Sequence, residues 1–271
     1  MAPLIHCVRH GQGFHNLGAG FYSLRDPRLT PLGEEQCEQL RTTSFPNQSN
    51  ISLITASPLC RALHTAFLTF SPALASHRKC PPQVLAIPDA QETSDEPCDI
   101  GSDPSLLHDI VAENSWPVDL SLVKDGWNIK TLETRYSPHN SSIEVRARDA
   151  RIFLRQKLRE LVRNGDVDPH VILVTHGGYL HYFTDDWEDS YRYPGTGWHN
   201  CETRSYAFEE DFMADVDGEA RLTETMESRQ KRGNTHPMYR REKQPELFEL
   251  GMQGWESQGL QRPDRLGTAL G

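Results

Sequence analysis

The sequence LIHCVRHGQGFHN, residues Leu4 to Asn16, places an arginine and a histidine directly after a short apolar run. The run from Leu4 to Val8 has the length and the branched apolar residues of one buried strand. Arg9 and His10 therefore stand where the predicted strand ends, followed by Gly11. Two bulky polar side chains have no packing use in a core, so their position favours chemistry over packing.

Similar apolar runs recur along the chain with helical patterns between them, and each run is long enough for one buried strand. The further runs are Ile51 to Thr55, Val84 to Ile87 and Val171 to Thr175. Alternating strands and helices predict an α/β fold. We expect a three-layer sandwich with a mostly parallel central sheet flanked by helices, to which Glu202 to Phe208 adds an edge strand that can run antiparallel.

The helical patterns have recognisable starts. Thr30-Pro31 and Ser57-Pro58 each predict a helix with proline in its first turn. A long amphipathic helix is predicted from about Ser142 to Arg163, with arginines and a lysine on the face opposite its apolar residues. That apolar face consists of Ile143, Ala147, Ala150, Leu154, Leu158 and Leu161.

Length and charge limit the classes of function. The chain has 271 residues, which suits one domain and an appendage. We expect a catalytic domain over residues 1–227 and a charged C-terminal extension over 228–271, with a helix near Glu246 to Met252. The formal net charge of −10 at pH 7 argues against nucleic acid or an anionic membrane as partner. The sequence leaves the oligomeric state open.

Location and redox state follow from what the sequence lacks. No stretch approaches the roughly 20 apolar residues of a membrane span, and the amino terminus lacks a secretory signal pattern. A cytoplasmic protein is therefore expected. Its six cysteines contain no C-x-x-C pair, so we expect reduced thiols rather than a disulfide framework or a zinc site.

Polar side chains also follow the other predicted strands. Arg61 follows the second strand, Glu92 the third, and His176 with Gly177 the fourth. Since the carboxyl ends of parallel neighbouring strands meet at one edge of a sheet, these groups are expected to converge with His10.

This set of side chains suits a phosphoryl group. Two guanidiniums match a tetrahedral oxyanion, and glycines at 11 and 177 let backbone amides approach it. Arginine charge keeps a nearby imidazole neutral, so His10 can act as a nucleophile. Glu92 can protonate the leaving alkoxide and then activate water. The arginines balance the phosphoryl charge, so no metal or other cofactor is expected.

Five phrases, in this order, resemble the histidine phosphatase superfamily, whose members are called phosphoglycerate-mutase-like. They are VRHG, DPRLTPLGEEQ, TASPLCRALHTA, QETSDEPCDIGSD and VTHGG, and together they span about Leu4 to Phe208. The resemblance implies a metal-independent phosphatase that hydrolyses a phosphomonoester, or another small organic phosphate, through a phosphohistidine on His10. It also implies that the phosphoryl oxygens are held by Arg9, Arg61 and His176.

The resemblance makes Glu92 the proton donor, although Ala90-Gln91-Glu92 stands where the family more often has Leu-Arg-Glu, so Asp95 and Asp99 remain alternative donors. The phrases HGQGFHN, PCD and NCETRS resemble a eukaryotic phosphatase-like branch. In that branch His15 and Asn16 are expected to face the pocket.

Three other functions compete with this interpretation. A phosphoglycerate-type phosphomutase would return the phosphoryl group to its substrate while excluding water. A catalytically silent protein would bind phosphate and use the charged extension for contacts. A zinc hydrolase is disfavoured, because the five-residue spacings of His10 with His15 and of His176 with His181 do not place both rings on one helix face. The sequence does not identify the substrate.

Overall fold

A seven-stranded mixed sheet forms the centre of the computed structural model, which describes residues 3–75, 82–192, 194–213 and 218–267. The strand order is β4-β3-β2-β5-β1-β6-β7, and the first five strands in that order are parallel, whereas β6 pairs antiparallel with both β1 and β7. The strands are β1 (Leu4–Arg9), β2 (Ile51–Ala56), β3 (Val84–Ala86), β4 (Val118–Asp119), β5 (His170–Thr175), β6 (Thr203–Phe208) and β7 (Leu222–Glu224).

The predicted α/β sheet is confirmed, with one change at its antiparallel end. The strand expected at the edge, β6, lies between β1 and β7, so β7 forms that edge. Neither β7 nor the short β4 was predicted. Both have only two or three residues, too few for an alternating apolar pattern to be visible in sequence.

Eight helices cover the two faces of the sheet in the described ranges, and short 3₁₀ turns lie between them. The helices are α1 (Pro31–Thr43), α2 (Cys60–Thr69), α3 (Ser71–Leu74), α4 (Pro104–Glu113), α5 (Asn140–Arg163), α6 (Gly177–Thr184), α7 (Met226–Lys231) and α8 (Gln244–Ser257). None of the helices in the described part of the chain is long and apolar enough to span a membrane.

The structure confirms the predicted start of α1 and shifts the predicted start of α2. At α1 the Thr30 hydroxyl accepts a hydrogen bond from the Gly33 amide at 3.1 Å, with Pro31 in the first turn, as predicted. At α2 the helix begins at Cys60, three residues later than Ser57. Ser57 instead contacts the His176 ring at 2.8 Å, so its hydroxyl belongs to the edge of the sheet.

Each face of the sheet has its own core. Ile172 and Val174 of β5 pack with α2 on one side, whereas Val171 and Leu173 pack with α5, α6 and α8 on the other. This alternation follows from the two-residue period of a strand. The result is the predicted three-layer sandwich, with a parallel strand buried on both faces at its centre.

Four of the six arginines in α5 are buried, although the sequence pattern places them on the face opposite the apolar residues. Their guanidiniums donate to backbone carbonyls of the loops that cross the helix, which satisfies the charged donors away from water. The four residues are Arg146, Arg151, Arg155 and Arg159, and their acceptors include the carbonyls of Gln91, Tyr182, Asp211 and Phe212.

The segment expected as a surface extension packs against the second core. In α8, Leu247, Met252 and Trp255 are buried, and the Trp255 indole donates to the Ser190 carbonyl at 2.8 Å. In α7, Arg229 is buried between Glu188 and Glu224, at 2.8 and 3.0 Å. The helix predicted near Glu246 is present, and the division of domains at residue 227 stays a prediction.

Removing the Trp255 side chain is expected to destabilise the whole fold. Trp255 is 2% exposed, and truncating a buried tryptophan to alanine costs about 3–5 kcal/mol in the free energy of unfolding. Urea unfolding measures this for Trp255→Ala, with Leu250→Ala as control, since Leu250 lies on the same helix but is 42% exposed. Equal, small losses in both variants would show that α8 is not part of the cooperative fold.

Candidate active site

His10 follows the last residue of β1, and its two ring nitrogens have different partners. The Nδ1 atom lies 2.7 Å from the Gly11 carbonyl, and the Nε2 atom lies 3.2 Å from Nε of Arg61. A carbonyl can only accept a hydrogen bond, so Nδ1 carries the proton. Nε2 is therefore unprotonated, and its lone pair faces Nε of the Arg61 guanidinium.

The surroundings of His10 favour the neutral imidazole. Burial lowers its pKa well below the ordinary histidine value, and the charges of Arg61 and Arg9 lower the pKa further. The ring is 1% exposed, so water contributes little to stabilising an imidazolium. At neutral pH this histidine presents an unprotonated Nε2 beside two cations.

Arg61 lies in the first turn of α2 and is fixed by the loop that precedes α4. Its guanidinium donates to the Cys98 carbonyl at 2.6 Å and to Asp99 Oδ1 at 2.7 Å. The other carboxylate oxygen of Asp99 accepts from the Ser94 hydroxyl at 2.5 Å. Asp99 thus balances a buried arginine, and both of its oxygens have partners.

His176 follows β5 and lies beside His10, with the ring centroids 5.1 Å apart. Its Nε2 lies 2.8 Å from the Ser57 hydroxyl, and the Ser57 oxygen accepts from the Leu59 amide. Its Nδ1 is buried and has no hydrogen-bond partner among the described residues. Burial, and secondarily the charge of Arg61, lowers its pKa well below the ordinary value.

Arg9 is the last residue of β1, and its side chain packs against Gly177 at the start of α6. Its Nη1 donates to the Trp198 carbonyl, and its buried Nε has no hydrogen-bond partner in the described part of the chain. A Cβ on Gly177 would lie 2.2 Å from Thr196 Oγ1 and 3.4 Å from Arg9 Nε. Glycine is required here because the Thr196 hydroxyl approaches the backbone so closely.

The loop after β1 brings His15 to the site but uses Asn16 differently from expectation. The His15 ring is buried, 5.4 Å from the His10 ring, and its Nδ1 has no hydrogen-bond partner within the described ranges. Asn16 Oδ1 instead accepts from the Gly13 amide at 3.0 Å and from Asn200 Nδ2 at 3.3 Å. Asn16 therefore holds the loop in shape.

Gly11 also differs from expectation. Its amide, which we expected to approach a phosphoryl oxygen, donates to the Thr65 hydroxyl at 3.0 Å. A Cβ at this position would lie 2.7 Å from the Gly33 carbonyl. The glycine lets α1 pack directly on the His10 loop, and this packing is its evident role.

Glu92 lies at the N-terminus of α6, immediately beside His176. Its carboxylate accepts from the amides of Thr93 at 2.9 Å, Gly178 at 3.2 Å and Tyr179 at 2.8 Å. Burial, followed by the charge of Asp99, raises its pKa above the ordinary glutamate value. Asp95 is exposed and bonds to Gln261 at 2.6 Å. Of the three candidate donors, Glu92 is the one bonded to the first turn of α6, which directly follows His176.

Sequence reasoning missed two cations that fix the Glu92 loop. Lys130 Nζ donates to the carbonyls of Glu92 and Ser94, each at 2.7 Å. Arg146 donates to the carbonyls of Gln91 at 2.6 Å and Glu92 at 3.0 Å. Burial lowers the pKa of Lys130 to about 7. No sequence signal marks these residues, since their acceptors are backbone atoms far along the chain.

Four buried polar atoms that have no hydrogen-bond partner among the described residues come from segments that meet around His10. They are Arg9 Nε, His15 Nδ1, His176 Nδ1 and Thr196 Oγ1. Neutral imidazoles and a guanidinium at one sheet edge can donate hydrogen bonds to an oxyanion. In the described ranges, no group of three or more His, Cys, Asp or Glu residues is arranged to hold a metal ion.

Comparisons with known proteins agree with this arrangement. A family model described as histidine phosphatase superfamily (branch 1) matches residues 5–79. A phosphoglycerate mutase-like protein of Arabidopsis thaliana is 26% identical over 74% of this chain and 82% of its own length. A probable phosphatase of Schizosaccharomyces pombe is 34% identical over 36% of this chain and 44% of its own.

A solved structure supports the same fold. The ecdysone phosphate phosphatase of Bombix mori, crystallised with tungstate, superposes with a TM-score of 0.52 at 14% identity, over 75% of this chain and 88% of that one. The matched segment at residues 5–79 contains Arg9, His10 and Arg61. In these matches and in its fold, the chain is similar to members of the histidine phosphatase superfamily.

Proposed function

We propose that this protein is a metal-independent phosphatase that hydrolyses a small phosphomonoester through a phosphohistidine on His10. The observation that carries the proposal is the fixed tautomer of His10, with Nδ1 bonded to the Gly11 carbonyl and Nε2 unprotonated beside Arg61. A neutral, buried imidazole facing a guanidinium is the arrangement that nucleophilic attack on phosphorus needs.

In the first step, His10 Nε2 attacks phosphorus while the bond to the leaving oxygen breaks. Arg9, Arg61 and His176 bind the phosphoryl oxygens, and their donors stabilise the charge that develops in the transition state. The proton stays on Nδ1 and keeps its hydrogen bond to the Gly11 carbonyl, which stabilises the positive charge that the ring gains on phosphorylation. The raised pKa of Glu92 suits it to give its proton to the leaving alkoxide.

In the second step, water attacks the phosphohistidine and the N–P bond breaks. The Glu92 carboxylate takes the water proton, and inorganic phosphate leaves with His10 neutral again. Lys130 and Arg146 act as positioning residues, because they hold the backbone that carries Glu92. The two carboxylates at Asp99 and Glu92 then have separate tasks, one as the counterion of Arg61 and one as acid and base.

Release of phosphate from p-nitrophenyl phosphate and from a panel of phosphorylated metabolites tests the proposed function. Turnover above background is expected with reduced protein, with and without excess chelator. Isomer exchange of a phosphoglycerate with little free phosphate would indicate a mutase instead. Binding without turnover would indicate a silent phosphate-binding protein.

His10→Ala is expected to abolish turnover and the trapping of acid-labile phosphate, because His10 Nε2 is the ring nitrogen that contacts Arg61 Nε. Rapid quench with labelled substrate measures the phosphoenzyme. His108→Ala is the control, since His108 lies exposed on α4 and its variant should keep both signals. Phosphoenzyme in the His10 variant would place the nucleophile elsewhere.

Glu92→Gln is expected to slow hydrolysis of alkyl phosphates by about 10² to 10⁴. Aryl phosphates, whose leaving groups need little protonation, should slow by about tenfold or less. Asp95→Asn is the matched control and should leave both substrate classes unchanged. If Glu92→Gln slows both classes equally, Glu92 is not the proton donor.

The pH dependence of kcat for an alkyl phosphate follows from the two shifted pKa values. Only protonated Glu92 can donate, so kcat is expected to fall as the pH rises through its raised pKa. Because the pKa of His10 is lowered, the nucleophile stays neutral below pH 6.5 and kcat should persist there. A loss of activity on acidification with a midpoint near 6.5 would show that His10 titrates normally.

A further inference from the structure

Two cysteines lie in contact directly behind the His10 loop. Cys37 is on α1 and Cys201 is in the turn before β6, and their Sγ atoms are 3.8 Å apart although 164 residues separate them in sequence. Cys37 is fully buried, whereas Cys201 is partly exposed. Formation of a disulfide requires the two sulfurs to approach to about 2.05 Å, a change of about 1.8 Å in their separation.

Both cysteines contact the backbone that holds His10. The Cys201 amide donates to the Arg9 carbonyl at 3.1 Å and to the His10 carbonyl at 3.3 Å. A Cβ on Gly11 would lie 3.1 Å from Cys37 Sγ, so this sulfur packs against the residue whose carbonyl fixes His10 Nδ1. The His10–Gly11 segment therefore packs against both residues that would be linked.

We propose that Cys37 and Cys201 form an oxidative modification site, at which a peroxide converts the thiol pair into a disulfide and thereby lowers the activity of the adjacent site. The loss of activity rests on the proposed phosphatase function, whereas formation of the disulfide does not. Neither cysteine contacts the reacting atoms. Both act through the position of His10.

The chemistry balances with hydrogen peroxide as the oxidant. One thiol loses its proton and attacks a peroxide oxygen, the O–O bond breaks, and the products are a sulfenic acid and water. The second thiol loses its proton as its sulfur attacks the sulfenic sulfur, and the departing hydroxide leaves as water. Two thiols are oxidised and one peroxide is reduced to two waters.

The environment of the pair supports reaction at this position. Cys37 receives a hydrogen bond from the Cys201 thiol, and this bond, with further ones from Thr65 and Thr69, lowers the pKa of Cys37. A larger thiolate fraction speeds attack on peroxide. Among the other described cysteines, burial raises the pKa of Cys7 and of Cys60, and it raises that of Cys98 to about 12.

Disulfide closure would move the nucleophile. Drawing Cys201 towards α1 changes the turn whose amide binds the Arg9 and His10 carbonyls, and Gly11 has no free space towards Gly33. A displacement of about 1 Å at reacting atoms can cost on the order of 10² in rate. We therefore expect oxidised protein to lose at least about tenfold in activity, with full recovery after reduction.

The experiment treats full-length protein with hydrogen peroxide and follows two separate readouts. Non-reducing peptide mapping by mass spectrometry is expected to find the 37–201 cross-link, and the aryl phosphatase rate is expected to fall in step with it. Dithiothreitol should reverse both changes. Absence of the cross-link at peroxide concentrations that oxidise other thiols would overturn the proposal.

Three variants test whether the 37–201 disulfide causes the inactivation by peroxide. Cys37→Ser and Cys201→Ser should each keep the basal rate and resist inactivation by peroxide. Cys80→Ser, at a position outside the described residues, should still form the cross-link and lose activity. Equal inactivation of all three variants would overturn the proposal that the disulfide lowers the activity. A cross-link in protein that has no phosphatase activity when reduced would refute the proposed function but leave the modification site standing.

Discussion

The hydrogen bond between His10 Nδ1 and the Gly11 carbonyl determines which nitrogen of the site is free to react. It places the proton on one side of the ring and leaves the Nε2 lone pair facing Arg61. Gly11 can make this bond because its amide is held by Thr65 and its Cα packs on Gly33 without room for a Cβ. The tautomer of one histidine thus depends on the contact of α1 with the loop after β1.

The parallel order β2-β5-β1 explains why the reacting groups meet. Their carboxyl ends deliver Arg61, His176 and His10 to one edge, where burial and arginine charge both oppose protonation of the imidazoles. Such a site needs a counterion for its buried arginine, which Asp99 supplies at 2.7 Å. Glu92 is then left with a raised pKa at the start of α6. In the proposed function, one carboxylate balances the charge of Arg61 and the other transfers protons.

Sequence predicted the part of this site that lies at strand ends, since short apolar runs mark the strands and parallel pairing brings their ends together. It did not predict that Arg146 and Lys130 hold the Glu92 loop, because their partners are carbonyls that any residue carries. The burial of Trp255 was missed for a related reason. Its helix follows a charged, apolar-poor stretch, and only the tertiary fold shows the surface of Trp187 that it covers.

The most direct test of the account is the ¹⁵N NMR spectrum of His10 in histidine-labelled protein, assigned with a His10→Gln variant. The account predicts a protonated Nδ1 and an unprotonated Nε2, both unchanged as the pH falls through the ordinary histidine value of 6.5. On reaction with substrate, the Nε2 resonance should couple to phosphorus. An imidazolium near neutral pH, or a proton on Nε2 in the free protein, would contradict the account.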